Sequence, residues 1–367
     1  YRDYPLAGAA PADGETRFDA GDRDGARQAF TRALERDPRD PRARAGLGWV
    51  LLESGQTEAA LAEFQQVRPP TLMSLVGAAN ALYRLNRVPD ADRAIAAAQA
   101  RDPRAPLPWV QAALNHLIRG RVPDAHQALD QALARDPHQA LALSLRANIY
   151  LVQNRPADAL DAARQAVAAN PASPAAHLSQ SAAHQARFDL DAALAAARQA
   201  RAHDPQNPQA LIQESRLLFG MGRLNEATQL ARQARQRAPQ DALISSTWGF
   251  LQLARHHPDQ ARQAFQAAIA QDSTLGEPHL GLGLALFRQN QPQAATNALR
   301  KATLLEPQVS LYNSYLGKAY LELNEPALAQ KYFAQAAQLD PRDPTPHFYD
   351  ALRRQSANQP TQAVQSL

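Results

Sequence analysis

One two-residue punctuation mark constrains this chain more than anything else in it. An acid or amide followed by proline closes an alanine-rich helical stretch, then returns after 34 residues. Asp102-Pro103, Asp136-Pro137, Asn170-Pro171 and Asp204-Pro205 set the interval. Ala238-Pro239, Asp272-Ser273, Glu306-Pro307 and Asp340-Pro341 continue it, and only Ala238 and Ser273 change the chemistry. Asp37-Pro38 opens the series 65 residues before Asp102, so the two units between them have together lost three residues. Self-similarity at such a period predicts a stack of helix–turn–helix units. A stack grows along one axis, so 367 residues need not mean several globular cores.

Composition supports helices. Hydrophobic residues make up 45% of the chain, with alanine prominent, and aromatics only 6%. Alanine is the strongest helix former, and runs of Val, Ile, Thr and Tyr that would signal strands are missing. The absence of cysteine excludes disulfides, thiolate metal sites and a cysteine nucleophile. Net charge is +4, but the cations are nearly all arginines interleaved with Asp and Glu, with lysine only at Lys301, Lys318 and Lys331. Nucleic-acid binders cluster their basic residues, so no nucleic-acid partner is expected. No apolar run reaches the length of a membrane helix, so no membrane insertion is expected either. The chain opens at Tyr1 without methionine and its last unit stops midway, which reads as a piece of a longer protein.

Aligned on the landmark, units begin near Pro41, Leu72, Pro106, Ala140, Pro174, Pro208, Ala242, Gly276, Ser310 and Pro344. The expected organisation is a single array over 1–367. It comprises an irregular segment 1–13, a degenerate first repeat 14–40, a short repeat 41–71, eight regular repeats over 72–343 and a truncated last repeat 344–367. Leu282, Gly283, Leu286, Ala295, Leu299 and Ala302 recur at spacings of three, four and seven, and so line one face of each helix. Gly283, Gly317, Ala113, Ala147 and Ser215 share one position, where paired helices must cross closely. Ala125, Ala159, Ala193, Ala227 and Ala261 do the same in the second helix. Val88-Pro89-Asp90 and Val122-Pro123-Asp124 place proline in the first helical turn and a carboxylate at the positive helix end. Val67-Arg68-Pro69-Pro70 ends the short unit, where two prolines predict a local change of pitch.

No catalytic constellation emerges. His-Glu-x-x-His, a phosphate loop and Gly-x-Ser-x-Gly are all missing, so no enzyme activity, cofactor or metal is expected. Gly281-x-Gly283 follows no strand and reads as helix packing. His177 and His184 lie two helical turns apart, about 10 Å in rise, too far to share one metal ion. His177, His279 and His347 occupy the position of Trp109 and Leu143, which reads as aromatic-like packing. His256-His257 falls in a turn.

A small residue in the first helix, Ala-x3-apolar in the second and a closing proline together resemble the tetratricopeptide repeat, over nearly the whole chain. The resemblance implies an all-α, right-handed solenoid of about ten to eleven units, with first helices lining a concave groove. Ala163, Ala197 and Ala231 stand where the family has a large apolar residue, which implies smaller contacts there. Carrying over the groove positions puts Ala45, Val76, Val110, Ser144, Leu178, Ile212, Ser246, Leu280, Ser314 and Phe348 on one row. The partner-binding candidates follow on neighbouring rows: Trp49, Asn80, Tyr83, Asn148, Arg216, Phe219, Phe250, Phe287 and Lys318. Asn80 and Asn148 match half of the family's carboxylate clamp, but Val76 and Ser144 replace its basic residues. A mainly apolar groove suits a protein or peptide segment, extended or helical, bound by a non-catalytic scaffold. Self-association through unsealed array ends is a further expectation. The run His347-Phe348-Tyr349-Asp350-Ala351 also resembles late repeats of long bacterial members of the family. That likeness implies a periplasmic spacer or adaptor in an envelope, outer-membrane or exopolysaccharide-export protein. An accessory domain of an enzyme encoded elsewhere in the chain is the third reading.

Overall fold

The computed structural model describes residues 13–19, 21–341 and 344–356. It divides into two compact units, residues 1–214 and 215–367, each described by itself. Among the described residues there is no strand. The first helices are α1 (Asp13–Asp19), α2 (Arg23–Arg36), α3 (Pro41–Glu53), α4 (Thr57–Gln66), α5 (Leu72–Arg84), α6 (Val88–Arg101) and α7 (Leu107–Ile118). Then come α8 (Val122–Arg135), α9 (Ala140–Val152), α10 (Pro156–Ala169), α11 (Pro174–Ala186), α12 (Leu190–His203), α13 (Pro208–Gly220) and α14 (Leu224–Arg237). The chain continues through α15 (Ala242–Ala254), α16 (Pro258–Gln271), α17 (Gly276–Arg288), α18 (Pro292–Leu305), α19 (Ser310–Glu322), α20 (Pro326–Leu339) and α21 (Pro344–Ser356). The division between the units falls inside α13.

In the first unit α1 to α12 pack in hairpins, each second helix also meeting the next first helix. In the second, α14 to α21 do the same. First helices also touch one another: α3 meets α5, α5 meets α7, α9 meets α11, and separately α15 meets α17. The irregular segment expected at 1–13 lies outside the described residues except Asp13, which begins α1. The end of the last expected repeat, residues 357–367, also lies outside them.

The landmark has a local cause. Proline cannot donate to the helix, and the acid before it accepts the backbone N–H of the residue after the proline. The pairs are Arg39 to Asp37 (2.9 Å), Arg104 to Asp102 (3.0 Å), His138 to Asp136 (3.0 Å) and Ala172 to Asn170 (3.1 Å). Where Ala238 removes this acceptor, the backbone bond from Asp241 N–H to Ala238 C=O (3.2 Å) persists. Glu306 is spent elsewhere, accepting from the Gly276 N–H at 2.7 Å.

The turn inside each hairpin is equally regular. One residue there takes a left-handed conformation: Gly55, Gly120 and Gly222, or Asn86, Asn154, Asn290 and Asn324. The next N–H closes the helix, as Arg87 does on Leu82 C=O at 2.8 Å, in a Schellman-like turn. Phe188 (φ 61°) and His256 (φ 60°) occupy the same place. The short unit shortens its second helix: α4 has 10 residues where α6, α8 and α10 have 14.

Candidate interaction surface

Where the nine candidate residues lie depends on what their neighbours require. Trp49 is 1% exposed and packs edge-on against Phe64, ring centroids 5.7 Å apart. Asn80 is 5% exposed, donating to Gln111 (3.4 Å) and accepting from Arg84 Nε (3.0 Å). Both side chains are therefore consumed inside the first unit, which corrects the expectation that they face a partner. The reason is close approach of successive first helices, which buries the row next to their contact line. The row of Ala45, Val76, Val110 and Ser144 is buried for the same cause. Tyr83 is half-buried against the core, and Asn148 is exposed.

Besides Phe188 and Leu190, the first unit exposes two large apolar side chains at helix ends that the family's groove positions do not point to. Ile118 is 67% exposed and Val152 is 81% exposed, each at the end of a first helix. Glu53, Arg84, Arg288 and Glu322, or the small Ala186, Gly220 and Ala254, hold that place elsewhere, and the large branched apolar residue was the available signal.

In the second unit, Arg216 is half-buried and its guanidinium meets both oxygens of Glu277 at 3.3 and 3.2 Å. Ser246 Oγ donates to the same carboxylate at 3.4 Å. Arg216 thus serves to tie first helices together through Glu277 on α17. Phe219 is half-buried. Phe250 turns one edge to Phe265, centroids 4.9 Å apart, and so belongs partly to the core.

Phe287 and Lys318, from neighbouring rows, come together. The Lys318 ammonium sits 5.7 Å from the Phe287 ring centroid and 5.5 Å from that of Tyr349, a cation–π geometry. Tyr349 also packs against Tyr315 (6.3 Å) and stacks on Phe333 (5.9 Å). Beside it Phe348 is 51% exposed. Burial, then Glu322, pushes the Tyr349 hydroxyl above its ordinary pKa, so it stays neutral at physiological pH. Among the described residues no carboxylate lies within ion-pair distance of Lys318. His177, read as a packing residue, is 7% exposed and stacks on His203 at 5.3 Å. Among the described residues no three His, Asp or Glu converge as a metal site would need, and no helix is long and apolar enough to cross a membrane.

Paired helices in series, each pair packed on the next within its unit, define a helical-repeat protein. Two family models described as tetratricopeptide repeat match residues 17–71 and 185–246, and residues 110–174 and 280–344, together more than half of the chain. The chain belongs to the tetratricopeptide repeat family. Curated proteins give no significant match. Among solved structures, the Cut9–Hcn1 hetero-tetramer of the APC/C is similar at TM-score 0.50 and 15% identity, over 96% of this chain and 84% of that one. That likeness shows the fold. PilF of Pseudomonas aeruginosa gives 20% identity over 59% of this chain and 99% of its own, with TM-score 0.46. A thermophilic tetratricopeptide protein of Thermus thermophilus gives 21% identity over 49% and 98%, with TM-score 0.45.

Proposed function

We propose that this chain is a non-catalytic scaffold that holds a protein segment on the first helices of its second unit. The observation that carries this reading is the Lys318 ammonium, half-buried between Phe287 and Tyr349 and, among the described residues, in no ion pair. Such a cation offers a charge-assisted bond to an acidic group, while Phe287 and the exposed Phe348 offer apolar area for a neighbouring side chain. The fitting ligand is a peptide with a carboxylate next to a large apolar residue. Of the nine candidates, Phe287 and Lys318 carry the site, with Phe250 and Phe219 as further apolar positions on the same two neighbouring rows. Arg216 contributes through its bond to Glu277 rather than by direct contact. Membership of an interaction-repeat family supports the same class of role.

The test is selection from a random peptide library on the immobilised protein, followed by fluorescence-anisotropy titration of the winners. Selected peptides should be enriched in Asp or Glu adjoining Phe, Leu or Trp. Lys318→Met should weaken them about tenfold, on the order of the energy of one charge-assisted contact. Winners without an acid, or affinities unmoved by both Lys318→Met and Phe287→Ala, would remove the proposal.

A further inference from the structure

Half of the large apolar side chains that stand exposed among the described residues lie on one edge of the first unit: Ile118, Val152, Phe188 and Leu190. Ile118 and Val152 end α7 and α9, Phe188 lies in the turn after α11, and Leu190 begins α12. They thus belong to the hairpin turns of three consecutive repeats. α7 meets α9 and α9 meets α11, and packed helices lie about 8–10 Å apart. Ile118 (67% exposed), Val152 (81%) and Phe188 (87%) therefore form an apolar strip, about 20 Å long. Phe188 gives this strip a sign of use. It holds a left-handed conformation, φ 61°, that disfavours side chains, and its ring faces outwards. Strain kept beneath an outward-facing ring points to a contact outside the chain.

Charge says what makes that contact. Residues 118–124 carry Arg119 and Arg121 against Asp124, and residues 152–158 carry Arg155 against Asp158. Residues 186–192 carry Arg187 against Asp189 and Asp191. Formal charge therefore falls from +1 through zero to −1 along the strip. Asp92, which holds Arg119 at 3.1 Å, comes from a neutral segment, 87–93, in which Arg87 and Arg93 balance Asp90 and Asp92. The strip as a whole is neutral, so it offers no net attraction to an anionic lipid surface. Reversed, however, its charge gradient complements itself. A second copy turned by 180° sets basic end on acidic end twice over, while Val152 meets its own counterpart. That is the arrangement of an isologous two-fold interface.

We propose that the chain forms an antiparallel two-fold dimer through this edge, with Ile118 of one copy against Phe188 of the other and Val152 on the axis. The three turns supply about 20 residues a side, the lower end of a standard interface. The apolar strip supplies its water-excluding centre and the turn charges its polar rim. This surface stands apart from the Lys318 site and does not use the ends of the array.

The test is sedimentation velocity on the full chain between about 1 and 200 µM, where a saturating monomer–dimer equilibrium is expected with a Kd on the order of 10 µM. Val152→Glu, and Phe188→Gly, which relieves the turn, should each weaken the dimer about tenfold or more, while Lys318→Met leaves it unchanged. Exchanging charges tests the pairing itself. Arg119→Glu sets acid on acid in its own dimer, and Asp191→Arg sets base on base, so each alone should associate about tenfold more weakly. Mixed in equal amounts, these two variants bring opposite charges together at both contacts and should recover the original affinity. Failure to recover on mixing would overturn the antiparallel pairing. A chain still monomeric at the top concentration would overturn the dimer, including one that instead pellets with phosphatidylserine vesicles or holds a different protein. Assembly beyond two copies, or association untouched by Val152→Glu, would move the contact to the array ends and overturn it as well.

Discussion

At the scale of residues, the second-helix phenylalanines and the first-helix glycines form one volume rule. Phe64 lies against Gly48 of its own hairpin and Gly77 of the next, and Phe265 lies against Gly249 and Gly281 in the same way. A Cβ at Gly249 would come within 2.6 Å of the Phe265 ring, and one at Gly281 closer still. Where the second helix carries Ala197 or Ala231 instead, the facing first-helix residue is Ser181 or Ser215. Each serine hydroxyl donates to a second-helix carbonyl, Ala193 at 2.8 Å and Ala227 at 2.7 Å. Close-packed interiors conserve volume, so ring and glycine are one choice. Phe265→Ala should cost about 3–5 kcal/mol and Gly281→Ala about 1–3 kcal/mol in urea denaturation. With Phe265→Leu in place, Gly281→Ala should cost clearly less; additive costs would sink the rule. His279 gives a second prediction at this scale. Burial, then Lys301, lowers its pKa from 6.5. The folded state then binds fewer protons than the unfolded one, so its stabilising share is complete above pH 6.5 and is lost as pH falls through the lowered value. His279→Leu should flatten the decline of Tm below that pH, and an unchanged slope would assign the decline to other groups.

At the scale of elements, helix ends decide the register of the hairpins. First helices are capped by side chains: Asp40, Thr71, Ser173 and Asp241 accept from N–H groups of the first turn. Second helices lack such caps at Arg87, Arg121 and Arg155, and use proline in the first turn with an Arg–Asp pair across it. Those exposed pairs are screened by solvent and contribute little, so proline and packing set these ends. The hairpin turn is where one repeat departs. Phe188 holds the left-handed place filled by Gly or Asn in most other repeats, and its side chain is 87% exposed. The left-handed conformation costs a non-glycine residue about 1–2 kcal/mol, partly offset by the entropy of an added glycine. Phe188→Gly should therefore raise stability by about 0.5–1 kcal/mol. A fall in the urea midpoint would mean that the ring makes a contact worth more than the strain. The turn position was readable as Gly or Asn in the sequence, whereas its conformation at Phe188 and His256 was not, because nothing local favours it there.

At the scale of the molecule, apolar volume is unevenly distributed within each unit. In the first unit, Phe18, Phe30, Trp49 and Phe64 crowd the N-terminal hairpins, while α10 to α12 bury mainly alanines such as Ala159, Ala163, Ala197 and Ala200 beside the larger Leu160, His177 and Leu194. In the second, Phe265, Tyr312, Leu316 and Phe333 build the later hairpins, and α14 buries only Ala227, Thr228, Ala231 and Ala234. Repeat arrays gain stability from each unit and its neighbours in turn, and smaller side chains remove less apolar surface from water. Native-state hydrogen exchange at rising urea should therefore show α10 to α12 and α14 opening before α3 to α5 and α16 to α19. Uniform protection along the chain would contradict this.

Local chemistry along the chain was enough to define the hairpins. The acid–proline pair, the glycine or asparagine turn and the small-residue stripes act through bonds spanning a few residues, so spacing alone reveals them. Which side chains remain available was settled only when hairpins stacked. Trp49 and Asn80 share a row with Lys318, yet neighbouring helices bury the first two and leave the third between two rings. Exposure is a property of the neighbours, and packing across the stack supplies them.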